Sequence, residues 1–403
     1  MVSETSQGRK TVFGIVCGAH FFNHFQSTML GVLYPVMMKD LGIGFVAIGS
    51  ITAAYNIVGS LLQGFSGFVV PYMRRGVLLG AGNVLLGVSV LATGFASGLH
   101  YILVTRFIGG IGSSPQHPVG SSILASHFEK ARGRTLALHS ASGQLGGLLA
   151  PILAALLLGY VDWRAVFWIV GIPAIVLGLA CFFFRDTLRP AASAAKGGRK
   201  TALGWSAYKK CLQNRNLMVL SLVLMVGAAG RGQGINETYI IPHFVNDFHL
   251  DVTHAAFLFM LIQIGSFLGP FLWGWVSDRW NRILTIQTSL LLSGLSSLWF
   301  AWQGHVSIFL LTNLVVYGAV VHSRQTLTQA LLSDMVEPEV LDAAFSLYFL
   351  IGFISIPFWT VATGWIMSYY RFGVAFSFIS SSYLIAMILL LFLRSAPEKS
   401  IAR

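Results

Sequence analysis

The sequence predicts an all-α membrane protein of about twelve transmembrane helices, arranged as two six-helix bundles in parallel repeat. Three observations carry that reading: charge is scarce, apolar runs reach about 20 residues, and landmarks recur at one constant spacing.

Of 403 residues, 55% are hydrophobic and 10% charged, with a mean hydropathy of +0.73. A soluble domain carries roughly a quarter charged residues, so most of this surface cannot face water. Inside lipid every backbone polar group must be satisfied internally, which leaves helices or closed barrels. Runs of about 20 apolar residues, rather than alternating strands of about 10, select helices.

The expected spans are 11–37, 45–70, 76–97, 100–125, 135–159 and 164–184, then 215–243, 252–277, 283–303, 305–331, 340–367 and 372–394. They define an N-terminal bundle over 1–184, a cytoplasmic linker over 185–214 and a C-terminal bundle over 215–403. The linker is basic and rich in Ala and Gly, with an amphipathic stretch around Trp205 and Tyr208 suited to an anionic leaflet. The first apolar run, from Thr11, is too long for a cleavable signal and leads into a full span.

The formal charge of +12 does not mark a nucleic-acid binder, because the basic residues sit in short loops. With the N-terminus placed in the cytoplasm, twenty Lys and Arg fall inside and only Lys39, Arg164 and Arg371 outside. Both termini are therefore expected to be cytoplasmic, in a plasma (inner) membrane, with membrane lipids as neighbours. Cys17, Cys181 and Cys211 are scattered and imply neither a disulfide framework nor a metal site.

An offset of 207 residues brings the halves into register. Pro35 meets Pro242, Asp40 meets Asp247, Gly67 meets Gly274, Arg75 meets Arg282, Ser126 meets Ser333 and Arg164 meets Arg371. Six helices duplicated in parallel place two bundles about an axis along the membrane normal. A cavity between them can open to each side in turn, which is where transport enters the argument.

Local motifs then carry a family resemblance. Gly274, Asp278, Arg279 and Arg282 in GWVSDRWNR form a loop in which an Asp at a helix end can hold a neighbouring Arg. The copy after the second span, GFVVPYMRRG, has Pro71 in place of the Asp. Arg106, Gly110 and Gly112 give an RxxxGxG element. Together these resemble the major facilitator superfamily over the whole chain, which implies secondary transport by alternating access and a gating role for the loop. The stretches His20-Phe-Phe-Asn23-His24 and Ser113-Ser-Pro-Gln-His117-Pro118-Val-Gly120-Ser121 resemble that superfamily's fosmidomycin-resistance-type branch. His24 and Val119 stand where that branch tends to carry acids, so its proton-coupled drug efflux does not transfer intact. Gly143, Gly147 and Pro151 only partly resemble the superfamily's antiporter motif.

An ionised side chain at mid-membrane costs ~3 kcal/mol on insertion scales. The intramembrane polar set is accordingly short: His20, His24, Arg106, His117, His139, Arg231, Glu237, His322 and Arg324. Three arginines face one carboxylate, Glu237. The 207 offset relates His24 to Arg231 and His117 to Arg324, and the helices holding them line the central cavity in the fold this chain resembles. Four such donors create positive potential suited to a small anion, with Arg supplying bidentate hydrogen bonds. Substrate binding is therefore expected at His24, His117, Arg231 and Arg324, with Asn23, Gln233 and Tyr239 as further contacts. Glu237, His20 and Arg106 are the candidates for proton coupling.

Plainer roles stand beside these. Arg106 suits helix bracing, Arg324 could snorkel to the cytoplasmic interface, and His139 reads as packing near a helix end. His20 and His24 share a face four residues apart, but no third metal ligand is evident, so neither metal nor cofactor is expected. Pro115 and Pro118 must bend the fourth span near His117. No convergent nucleophile–base set suggests an enzyme. The expected function is secondary transport of a small organic anion by a monomer, coupled to protons or by exchange. Efflux of drug-like amphiphiles is the alternative.

Overall fold

The computed structural model describes residues 6–69, 73–128, 132–183, 205–227, 232–336 and 340–393. Pro71, most of the basic linker and Arg231 lie outside that set.

The described chain is helical throughout, and each expected span matches one helix or a broken pair. The first half contains α1 (Ser6–Leu41), α2 (Phe45–Val69), α3 (Arg75–Thr93), α4 (Leu99–Ser113), α5 (Gln116–His127), α6 (Arg132–Leu158) and α7 (Trp163–Cys181). A short amphipathic helix, α8 (Trp205–Gln213), precedes the second half. There follow α9 (Arg215–Val226), a π-helical turn (Gly232–Asn236), α10 (Glu237–Asn246), α11 (Val252–Arg279), α12 (Arg282–Ala301) and α13 (Ile308–Met335). The chain closes with α14 (Leu341–Phe353), α15 (Ile356–Tyr369) and α16 (Phe372–Leu389).

Local chemistry sets several boundaries. Asp162 accepts hydrogen bonds from the backbone N–H groups of Arg164 and Ala165 at the start of α7. Asn214, Asn281 and Ser307 accept from Leu217, Leu284 and Leu310 at the starts of α9, α12 and α13. Each such cap contributes ~1 kcal/mol by satisfying a donor that the helix itself cannot. The fourth span divides into α4 and α5 at Ser114–Pro115, because Pro115 has no N–H to continue the ladder. The seventh span divides within its glycine-rich stretch, where α9 stops at Val226 and the π turn begins at Gly232.

The distribution of polarity suits lipid. Val104, Phe107, Ile172, Phe271, Leu272 and Ile385 point outward, while Asn83, Thr93, Ser289, Ser293, Ser297 and Thr328 are buried. The buried hydroxyls mostly return to their own helices: Ser293 donates to the Ser289 carbonyl at 2.7 Å and Ser297 to the Ser293 carbonyl at 2.6 Å. That is the expected solution where no water competes. Among the described residues, eight helices are long and apolar enough to cross a membrane. The protein is a multi-pass helical membrane protein.

Contacts divide the chain into two compact units. The first comprises Met1–Gly198, Gln233–Met260 and Thr360–Ser368; the second comprises Arg199–Gly232, Leu261–Trp359 and Tyr369–Arg403. In the first unit α3 packs on α7 through small residues. A Cβ added to Gly87 would lie 2.6 Å from Ile175 Cγ1 and 2.8 Å from the Gly171 carbonyl oxygen, so only glycine permits that approach.

Candidate functional site

In the first unit the site is organised by α1. His20, His24, Ser27 and Tyr34 recur along it at helical spacing and share a face. At one level four imidazoles gather. The rings of His20 and His24 lie 4.8 Å apart, those of His20 and His117 4.9 Å, and those of His24 and His117 5.6 Å, each pair nearly perpendicular. His139 stacks on His20 at 4.1 Å, and its backbone carbonyl accepts a hydrogen bond from His20 Nδ1 at 2.7 Å. Thus His139 is not merely helix-end packing: it sets the tautomer and plane of His20. The pair on α1 also has a third imidazole beside it, His117, which the fold delivers from the start of α5 just past the proline break.

Next along α1, Gln26 braces Arg106. Arg106 Nη1 donates to Gln26 Oε1 at 2.8 Å, and its guanidinium sits 4.3 Å from the Tyr55 ring centroid. Gln26 Nε2 in turn lies 3.0 Å from Tyr55 Oη, from Ser27 Oγ and from the Asn23 carbonyl. A buried guanidinium held by a neutral amide and an aromatic face ties α4 to α1 and α2, as a bracing residue does. Asn23 is buried in the same layer, at 3% exposure.

Glu237 opens α10 within the same unit. Its Oε1 accepts from the Thr28 hydroxyl at 3.0 Å. The neighbouring Thr238 hydroxyl lies 2.9 Å from Thr52 Oγ1, which lies 2.9 Å from Tyr34 Oη. Ser27, Tyr34, Tyr55, Asn56, Arg106 and Glu237 border a cavity of about 10 Å³, on the scale of a single water and far below any organic substrate. Tyr239 differs from expectation. Its hydroxyl donates to the Thr360 carbonyl at 2.6 Å and lies 3.3 Å from the Phe45 carbonyl, and the side chain is fully buried. With its polar atom committed to backbone, Tyr239 clasps helices together rather than presenting a contact to a ligand.

The second unit holds Arg324, midway along α13 and 1% exposed. Its guanidinium stands 5.0 Å from the Tyr383 ring centroid and close under Gly227, where an added Cβ would lie 3.1 Å from Nη1. Nε and Nη1 are buried without a hydrogen-bond partner among the described residues. At this burial the side chain does not snorkel. The described acids of this unit with described side chains, Asp278 and Asp334, both pair with Arg282 instead: Arg282 Nε is 2.7 Å from Asp334 Oδ2 and Nη2 is 3.3 Å from Asp278 Oδ1. Of the two acids that Arg282 meets, Asp334 at the end of α13 is the nearer and Asp278 the more distant. Arg279 lies over the Trp275 ring at 4.1 Å, and Gly274 has open space where a Cβ would be. The counterpart Arg75 donates instead to the Ser122 carbonyl and hydroxyl, at 3.1 and 2.9 Å. Arg231 and the side chain of Gln233 lie outside the described residues.

Sequence reasoning passed over Gln26, Thr28, Thr238 and Asp334. Hydroxyls and amides in apolar helices are common as interhelical glue, so nothing local singled these out. Asp334 had one available signal, an acid at the end of a span in a chain whose loops are mostly basic.

Ionisable groups buried on broken helices mark solute and ion pathways in membrane proteins. The family model described as Major Facilitator Superfamily matches residues 16–261 and 232–403, and the chain belongs to that superfamily. It is similar to the gallate transporter of Pseudomonas putida, with 24% identity over 392 residues that cover 88% of this chain and 81% of that one. It is also similar to the 4-hydroxybenzoate transporter PcaK of Pseudomonas aeruginosa, 23% identical over 74% of this chain and 73% of that one. Among solved structures, a bacterial homologue of the human lysosomal transporter Spinster in an inward-facing conformation matches with a TM-score of 0.77 at 16% identity. That match covers 96% of this chain and 95% of the other.

Proposed function

We propose that the chain is a secondary active transporter for a small organic anion, working by alternating access, with Arg324 as its principal anion-recognition group. The observation that carries this reading is a fully buried guanidinium whose Nε and Nη1 have no hydrogen-bond partner among the described residues and whose unit spends its described acids elsewhere. A charge in that position costs ~3 kcal/mol or more, and an incoming carboxylate would supply the missing counter-charge and the planar acceptor that guanidinium prefers. Arg231, the repeat counterpart of His24, is assigned the same task in the second half. The names of the two bacterial relatives, which specify hydroxybenzoate and gallate, favour aromatic carboxylates.

Protons are assigned to Glu237. It is a buried carboxylate with one hydroxyl donor, bordering a cavity of single-water scale, and suits a group that exchanges a proton rather than one that grips a substrate. Arg106 supports it by bracing α1 and α2 around that cavity. We place the chain in an inner membrane and read both termini as cytoplasmic, the latter supported by the loop arginines and lysines. The resemblance to the fosmidomycin-resistance-type branch remains confined to α1 and the α4–α5 junction.

The test is uptake into proteoliposomes across a panel of aromatic and aliphatic carboxylates and lipophilic cations, with and without a pH gradient. Saturable carboxylate uptake whose KM rises at least ~10-fold in Arg324→Ala supports the reading. Transport of cations that survives the substitution overturns it and leaves drug efflux.

A further inference from the structure

We propose that His20, His24 and His117 form a binding site for a divalent transition-metal cation of the zinc class. The inference is independent of the anion reading, since it concerns a different unit and is tested by metal binding alone.

One ligand nitrogen from each of the three residues lies within 4.8 Å of the other two. Zinc–imidazole bonds of ~2.0–2.1 Å around a tetrahedral ion set nitrogens ~3.4 Å apart, so the rings need to close by on the order of an ångström. Their mutually perpendicular planes suit three imidazoles converging on one point from different directions. His20 and His24, one helical turn apart, present the same i, i+4 pair that places two ligands on a single ion in helical zinc motifs. The third ligand needs a second helix, and the Pro115 break starts α5 just before His117.

The atom that points most directly to a ligand is His20 Nε2. Its Nδ1 is bonded to the His139 carbonyl, and a carbonyl can only accept, so the proton resides on Nδ1 and Nε2 carries the lone pair. That nitrogen is buried, in a residue 3% exposed, without a partner among the described residues. A ligating imidazole held at its other nitrogen by a backbone carbonyl is the usual outer-shell arrangement of histidine metal sites. The stacked ring of His139 holds the plane of His20. Space is also reserved: a Cβ on Gly143 would lie 2.7 Å from His20 Cε1 and 2.9 Å from His24 Cδ2.

The donor set selects the ion. Three neutral imidazoles, with no carboxylate among the described residues grouped with them, suit Zn²⁺, Co²⁺, Ni²⁺ or Cu²⁺ and not the oxygen-seeking Mg²⁺ or Ca²⁺. Three protein ligands leave a fourth position open for water or an anionic group. The bound ion would place two positive charges in the first unit and pin α1 to α5.

The experiment uses the full chain, purified in detergent and stripped with a chelator, titrated with Co²⁺ while its visible absorption is followed. We expect one equivalent to bind with the intense bands of a tetrahedral nitrogen-ligated ion, and Zn²⁺ to bleach them on addition. His20→Asn and His117→Asn should each weaken binding at least ~10-fold, whereas His139→Phe, which keeps the backbone carbonyl and a stacking ring, should weaken it less. His254→Ala removes the exposed Asp251–His254 pair, the most accessible rival ligand set, and should change nothing. The wild-type titration stands whether or not a variant folds: no saturable equivalent in the wild type overturns the proposal. So does an equivalent that His254→Ala removes or that His20→Asn and His117→Asn retain.

Discussion

The Thr28 hydroxyl donates to Glu237 Oε1 at 3.0 Å, linking the middle of α1 to the first residue of α10. A bond at this depth holds the one carboxylate of the intramembrane set in place without neutralising it. Glu237→Gln should therefore keep the fold while removing the proton-accepting oxygen. We expect uptake driven by a pH gradient to fall at least ~10-fold while exchange of labelled for unlabelled substrate persists. Loss of both in equal measure would reassign Glu237 to packing. Thr28→Val should act more mildly, lowering stability by ~0.6 kcal/mol, the mean for interhelical hydrogen bonds within membranes.

Arg324 makes the opposite trade. If its charge is kept for a ligand, removing it should harm transport and relieve the fold. Arg324→Ala is expected to raise KM for the carboxylate at least ~10-fold, equivalent to ~1.4 kcal/mol of binding. In the absence of substrate it should unfold at the same or a higher temperature than wild type, since ~3 kcal/mol of charge-burial cost disappears. Arg324→Lys should recover little, because an ammonium lacks the planar fork and stacks poorly on Tyr383. A variant less stable than wild type would indicate a structural arginine.

At the loop, distance ranks the two partners of Arg282. Asp334, at 2.7 Å from Nε, should matter more than Asp278, at 3.3 Å and on an adjacent turn. These side chains are 32% to 68% exposed, so each pair contributes only ~0–1 kcal/mol. Asp334→Asn is expected to slow transport more than Asp278→Asn, and exchanging the charges (Asp334→Arg with Arg282→Asp) should restore part of the rate. Equal effects of the two asparagine variants would count against the ranking.

Asp40 offers a pH-dependent test outside the spans. Arg164, 2.9 Å away, and then Trp163 hold its carboxyl below the ordinary aspartate value. A depressed folded-state pKa means the stabilisation is complete above the unfolded value of ~3.9 and is lost as pH falls below it. Thermal unfolding followed between about pH 6 and pH 3 should show wild type losing more stability at the acid end than Asp40→Asn. Parallel curves for the two proteins would exclude this contribution. The effect should be small, since the pair is largely solvated.

How much of this was legible in the chain differs by kind of feature. The helices were, because lipid forces long apolar runs, and Pro115 and Gly227 sit visibly where two of them stop. That an arginine would meet Asp278 was legible from the loop, whereas the choice of Arg282 over Arg279 needed the fold. His117 beside His20 and His24 was not, since periodicity reports faces within a helix and is silent on which faces of distant helices meet. Tyr239 is a related case: the sequence offers it as an aromatic that shapes a cavity or packs, and only the fold shows its hydroxyl on the carbonyls of Phe45 and Thr360. Arg324 was legible as an expensive residue, though only burial distinguishes a cavity from an interface.

The π-helical turn at Gly232–Asn236 has a consequence for alignment and engineering. Such a turn accommodates about one residue more than an α-helical turn does, and each residue of an α-helix advances the azimuth by about 100°. The turn therefore sets the azimuth at which Glu237 enters α10. Deleting any single residue between Gly232 and Asn236 would let the segment relax into regular winding, yet swing Glu237 about a quarter-turn away from Thr28. A length change of one, in a stretch with no side chain assigned to substrate except Gln233, would then disconnect the carboxylate as completely as mutating it.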